Sequence, residues 1–121
     1  METKRKGGIF MDITQQQLDN GILKVTLNGS LDVKGAAEAD TQLSGMVANG
    51  RKIIADLSNV DFIASTGIRV LVKIAKALGE TGGKLAVINP TDTARRVMWT
   101  TGLTSIVPIA DNEQAAISAV A

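Results

Sequence analysis

Residues 56–68, Asp-Leu-Ser-Asn-Val-Asp-Phe-Ile-Ala-Ser-Thr-Gly-Ile, hold the groups best placed for chemistry. An apolar strand stops there, and the hydroxyl pair Ser65 and Thr66 opens an amphipathic helix. The first N–H groups of a helix lack internal partners and its dipole leaves partial positive charge at that end. A hydroxyl there can cap the helix, and a phosphate carried on it is held by the same donors. The functional reading is a regulatory hydroxyl able to carry a phosphate; the plain alternative, which the residues by themselves favour, is an N-cap. No capping box supports that alternative, because Ile68 stands three positions on. Gly67 costs the first helical turn roughly 0.5–1 kcal/mol against alanine. In return it leaves room for another molecule's backbone or nucleotide, or for packing within the chain.

Other polar residues carry two readings each. Asp32 precedes a helix and either caps it or serves a functional surface. Asp56, in Asp-Leu-Ser-Asn with Ser58, either makes an Asx turn or contributes to recognition. Arg69, Lys73, Lys76 and Glu80 lie at spacings of four, three and four, which makes them one helix face, either solvated or a docking surface beside Ser65. Residues 79–84, Gly-Glu-Thr-Gly-Gly-Lys, resemble a phosphate loop only faintly: the glycine spacing is wrong and Leu85 stands where Ser or Thr should hold magnesium.

Composition removes much else. The 121 residues contain no cysteine and no histidine, so there is no thiolate nucleophile, no disulfide framework and no imidazole base or zinc ligand. A net charge of +1 gives no broad field for nucleic acid or acidic lipid. With 45% hydrophobic residues but 2% aromatic, the core must be aliphatic. No apolar run reaches the roughly 18 residues of a membrane span, and the start lacks the apolar stretch of a signal peptide. The expected location is cytoplasmic, with no membrane insertion.

Elements able to position Ser65 follow from periodicity. Residues 1–10, with Lys4, Arg5 and Lys6, read as a flexible tail, and 11–121 as one domain. Leu23, Val25, Leu27 and Leu31 alternate with polar residues as a strand with one wet face, and Asn20-Gly21 turns it back on the segment from Met11 to Leu18 as a hairpin. Val33, Ala36, Ala37, Leu43, Met46 and Val47 predict a helix from Asp32 to Asn49. Ile53, Ile54 and Ala55 read as an inner strand. Ile68, Leu71, Val72, Ala75 and Leu78 make the apolar stripe of a helix ended by Gly79. Leu85–Ile88 is a second inner strand, and a short helix runs from Asp92 through Trp99 to a Gly102 cap. Ile106, Val107 and Ile109 predict an edge strand, because Pro108 cannot donate to a ladder, and residues 112–120 a last helix. Strands joined through helices run parallel. The fold class is α/β: a mixed, mostly parallel five-stranded sheet with an antiparallel edge hairpin and about four helices.

Three ordered motifs, Gly29-Ser30-Leu31-Asp32, Asp56-Leu57-Ser58 and Ser65-Thr66-Gly67-Ile68, resemble those of STAS domains of the bacterial anti-sigma factor antagonist family, over nearly all of Met11 to Ala121. The resemblance implies a non-enzymatic partner-switching module. Unphosphorylated, it binds an anti-sigma factor serine kinase and releases the sigma factor; phosphorylation at Ser65 blocks binding, and a serine phosphatase of the PP2C type reverses it. Thr66 maps to the family's second hydroxyl, and the implied partner surface comprises Asp32, Asp56, Ser58, Ser65, Thr66, Gly67, Arg69 and Lys73. No cofactor, metal or nucleic acid is implied. The family commonly has aspartate directly before the serine, where this chain has Ala64, and that supports the alternative of a non-switching STAS scaffold subunit in a membrane-associated transporter or signalling complex.

Overall fold

A computed structural model describes residues 11–121; the expected basic tail at 1–10 lies outside the described residues. The elements run β1 (Met11–Gln17), β2 (Ile22–Leu31), α1 (Val33–Ser44), β3 (Lys52–Ile63), α2 (Ser65–Gly79), β4 (Lys84–Ile88), α3 (Asp92–Thr101), β5 (Ile109–Ala110) and α4 (Glu113–Val120). Sheet order follows the chain, β1-β2-β3-β4-β5, with β1 antiparallel to β2 and every other pair parallel. This is the expected α/β architecture. Asn20 and Gly21 make the hairpin turn with left-handed φ of 66° and 74°, the conformation for which Asn-Gly is suited.

Two apolar layers enclose the sheet. On one face Leu23, Val25, Leu27, Ile53, Ala55 and Leu57 pack against α1, α2 and α3. On the other, Ile22, Ile54, Ala86 and Ile88 pack against Ala116 and Val120 of α4. Inner strands covered on both faces account for the unbroken apolar run at Ile53–Ala55.

Two boundaries and one burial differ from expectation. The α1 helix stops at Ser44, and the backbone tightens through Met46 N–H to Leu43 C=O (2.9 Å). Met46 is still buried there, so its apolar spacing marks a turn rather than more helix. Val33, counted on the inner face, is 69% exposed because it is the first residue after the cap. The last strand is Ile109–Ala110 alone; Leu103–Ser105 is a 3-10 turn and Ile106 is half exposed, while the Pro108 carbonyl accepts from Val87 N–H (2.9 Å).

The largest difference is β3, which continues eight residues past Ala55 to Ile63. Its pairing with β2 goes from Thr26↔Asp56 to Asn28↔Asn59 and from Gly29↔Val60 to Leu31↔Ile63, so β3 takes one extra residue at each shift. These bulges turn Leu57, Val60 and Ile63, three apart, all into the α1–α3 core. Side-chain bonds pin the extension: Ser30 Oγ donates to Asp61 Oδ1 (2.6 Å) and Asn59 Nδ2 to Asn28 Oδ1 (2.7 Å).

Candidate functional site

The extension of β3 decides where Ser65 stands. Leu31 and Ile63 are the last paired residues of β2 and β3, and Ala64 N–H donates to Leu31 C=O (2.9 Å). Both strands turn there into helices, α1 at Val33 and α2 at Ser65. Two helix N-termini therefore stand side by side at the carboxyl ends of the paired parallel strands β2 and β3.

Asp32 caps α1, its carboxylate accepting from Gly35 N–H (2.8 Å). Ser65 is not a cap. Because Ala64 is still held against β2, the chain stays extended through it (φ −96°, ψ 171°), and Ala64 takes the N-cap position with no side-chain bond. Ser65 falls on the first helical residue, exposed, with no hydrogen-bond partner for its hydroxyl among the described residues. Thr66 Oγ1 is buried and unpartnered. A Cβ at Gly67 would lie 2.9 Å from Leu31 Cβ, 3.0 Å from Ile63 Cγ1 and 3.1 Å from the Leu31 carbonyl. Gly67 thus admits the chain's own β2 and β3 ends, not a visiting molecule.

Between α1 and α2 runs an open groove of about 290 Å³, lined by Val33, Ala36 and Asp40 on one side and Thr66, Arg69 and Lys73 on the other. Lys73 Nζ donates to Asp40 Oδ1 (2.9 Å) and Oδ2 (3.1 Å), closing the groove's far end. The Lys73 ammonium, then the Ser44 hydroxyl, hold the Asp40 carboxyl below its ordinary value. Arg69 is exposed and has no ion-pair partner among the described residues. Two large apolar side chains, Val33 (69% exposed) and Phe62 (46%), stand near this end of the sheet. Sequence reading missed Phe62, Asp40 and Asp61; a period of two groups Phe62 with buried Val60, so the local pattern carried no signal for an exposed Phe62.

Asp56 and Ser58 do not join this cluster. The Asp56 carboxylate accepts from Ser58 N–H (2.9 Å), the expected Asx turn, and lies 3.9 Å from Lys24 Nζ, which also bonds Glu113 Oε1 (2.9 Å) at the start of α4. Asp56 is therefore buried toward the α4 face. Ser58 is exposed in mid-β3. No His, Cys, Asp or Glu cluster fit for a metal ion occurs among the described residues, and no helix among them is long and apolar enough to cross a membrane. Residues 79–84 form the turn from α2 into β4, with Gly83 N–H donating to Leu78 C=O (2.8 Å), so no strand precedes them as a phosphate loop requires.

A parallel sheet with an antiparallel edge hairpin, and an exposed serine opening the helix after its third strand, define the class. Residues 14–116 match the STAS domain, and the chain belongs to that family. It is 32% identical over 110 residues to BtrV of Bordetella bronchiseptica, covering 90% of this chain and 94% of BtrV. It is 30% identical over 100 residues to the anti-sigma F factor antagonist of Paenibacillus polymyxa, covering 81% and 86%. Among solved structures, an anti-sigma factor antagonist from Mycobacterium paratuberculosis superimposes with a TM-score of 0.76 at 27% identity, covering 90% and 94%. The Bacillus cell fate determinant SpoIIAA in its phosphorylated form shares the fold at 22% identity, with a TM-score of 0.65 and coverage of 89% and 98%.

Proposed function

We propose that this protein is an anti-sigma factor antagonist that works by partner switching at Ser65. The observation that carries the reading is the exposed, unpartnered Ser65 hydroxyl on the first residue of a helix without a side-chain cap, beside a second helix N-terminus. The names of relatives at 30% identity and above support the class of function.

Unmodified, the surface around Ser65, the α1–α2 groove and exposed Val33 and Phe62 dock on an anti-sigma factor serine kinase, which then releases its sigma factor. The kinase transfers the γ-phosphoryl of ATP to Ser65 Oγ: the new P–O bond forms as the β,γ-bridge breaks, ADP leaves, and the hydroxyl proton passes to the kinase's base. The phosphate adds about −1.5 to −2 charge. Burying it against unmatched groups costs several kcal/mol, and each ~1.4 kcal/mol is tenfold in affinity. The N–H groups of α2 accommodate the phosphate, so the modified chain stays folded and simply stops binding. A PP2C-type phosphatase restores the binding form, without nucleic acid or cofactor.

The test is phosphorylation of the purified protein by its cognate kinase with ATP. Label is expected on Ser65 of the wild type and not on Ser65→Ala, and Ser65→Asp is expected to bind the kinase about 10²-fold more weakly by titration calorimetry. Label on another residue, or Ser65→Ala labelled at the wild-type rate, would sink the assignment. A kinase that binds stably and leaves the protein unmodified would favour the scaffold that Ala64 suggests.

A further inference from the structure

We infer that Arg69 is the counter-ion of the phosphate on Ser65, so that modification withdraws Arg69 from any partner docked on the α1–α2 groove. The inference rests on the phosphorylation proposed above and adds to it a residue and a means: the switch occupies a binding group of its own surface as well as adding charge.

Arg69 follows Ser65 by four residues on α2, one turn on and on the same side of the helix. An anion placed four residues before a cation is the favoured order on a helix, and a guanidinium matches phosphate oxygens with two parallel N–H donors. Among the described residues, two cations line the groove, Arg69 and Lys73. Lys73 is held by both oxygens of Asp40, whereas Arg69 has no ion-pair partner among the described residues. Unmodified, Arg69 therefore offers its fork to a partner's carboxylate. Thr66 lines the same groove, but its Oγ1 is sealed and unpartnered, so among the groove's side chains the open donor beside Ser65 is Arg69. Other charges on the elements packed around the first turns of α2 are Asp32, Lys34, Glu38 and Asp40 beside and along α1, Lys52, Asp56 and Asp61 on β3, and Asp92, Arg95 and Arg96 on α3. These stay constant when Arg69 alone is changed.

The measurement uses full-length protein with phosphoserine installed at position 65 during translation, so it does not depend on any kinase. The phosphate is titrated by 31P NMR between about pH 4 and pH 8 in otherwise wild-type protein, Arg69→Gln and Arg69→Lys. Arg69→Gln is expected to titrate about 0.3–0.5 pH unit higher, a two- to threefold change in proton affinity, with Arg69→Lys between the two and the differences collapsing in ~1 M salt. Superimposable curves for wild type and Arg69→Gln overturn the inference. Should Arg69→Gln fail to fold, Arg69→Lys carries the test, because it keeps the charge and loses the paired donors; a curve identical to wild type in salt-free buffer overturns the forked contact. A kinase that ignores Ser65 would remove the phosphorylation reading and leave this result standing.

Discussion

Two neighbouring hydroxyls on the first turn of α2 have opposite surroundings, and that contrast separates their roles. Ser65 is exposed and Thr66 Oγ1 is sealed without a partner. A buried hydroxyl with no hydrogen bond costs about 1–3 kcal/mol. Thr66→Val replaces it with a methyl on an equally β-branched side chain and is expected to stabilise the fold by about 1 kcal/mol in urea unfolding, while slowing labelling of Ser65 by the kinase. A destabilised Thr66→Val would mean that the hydroxyl has a partner in the folded state. The hydroxyl pair was legible in the sequence because Ser-Thr-Gly interrupts an apolar pattern. The helix start was not legible to the residue. Whether Ser65 caps α2 or follows its cap depends on Ala64 N–H bonding across to Leu31, a contact between residues thirty-three apart.

At the scale of elements, α1 and α2 are joined across the groove by Asp40 and Lys73, a pair seated well down both helices from their N-termini. The folded-state carboxyl of Asp40 sits below its ordinary 3.8, chiefly because Lys73 donates to the ionised form. A lowered acid contributes stability that is fully present above its unfolded value and lost as pH falls through the folded one. With Lys73 60% exposed, solvent screening limits the pair to about 0–1 kcal/mol. Lys73→Met is therefore expected to lower Tm by at most a few degrees at pH 7, with the gap closing as pH falls below 3.8 and closing also in ~1 M salt. A gap that persists under both conditions would assign the effect to packing of the lysine stem instead. The α2 stripe was plain in sequence because five apolar residues keep helical period without competition. The second half of β3 was not: Asp56-Leu57-Ser58-Asn59 reads as a turn and is one, yet the ladder with β2 resumes beyond it through bulges that change the apolar spacing from two to three.

For the whole molecule, the sheet divides stability from switching. Ser65, the groove and Arg69 belong to the α1–α2 side, while among the described helices α4 covers the other face, through Ala116 and Val120 on Ile54, Ala86 and Ile88. Periodicity predicted α4 as a last helix; that it would land on the face opposite α1–α3 was not legible, because the turn into β5 and the shortness of that strand decide where it lands. Asp56 belongs with α4 for the same reason: Lys24 draws it toward Glu113 and away from the serine that sequence motifs group it with. Ile54 is fully buried at the centre of the α4 layer. Truncating it to alanine removes transfer free energy and leaves a cavity, so Ile54→Ala is expected to cost about 2–5 kcal/mol in urea unfolding. Under native conditions the same variant is expected to be phosphorylated at Ser65 and to bind the kinase at the wild-type level, because the layer it loosens touches none of the groove. If labelling or affinity falls in a variant that circular dichroism and size exclusion show to be folded, the two faces are coupled through β3. The site would then depend on the register of that strand as well as on its end.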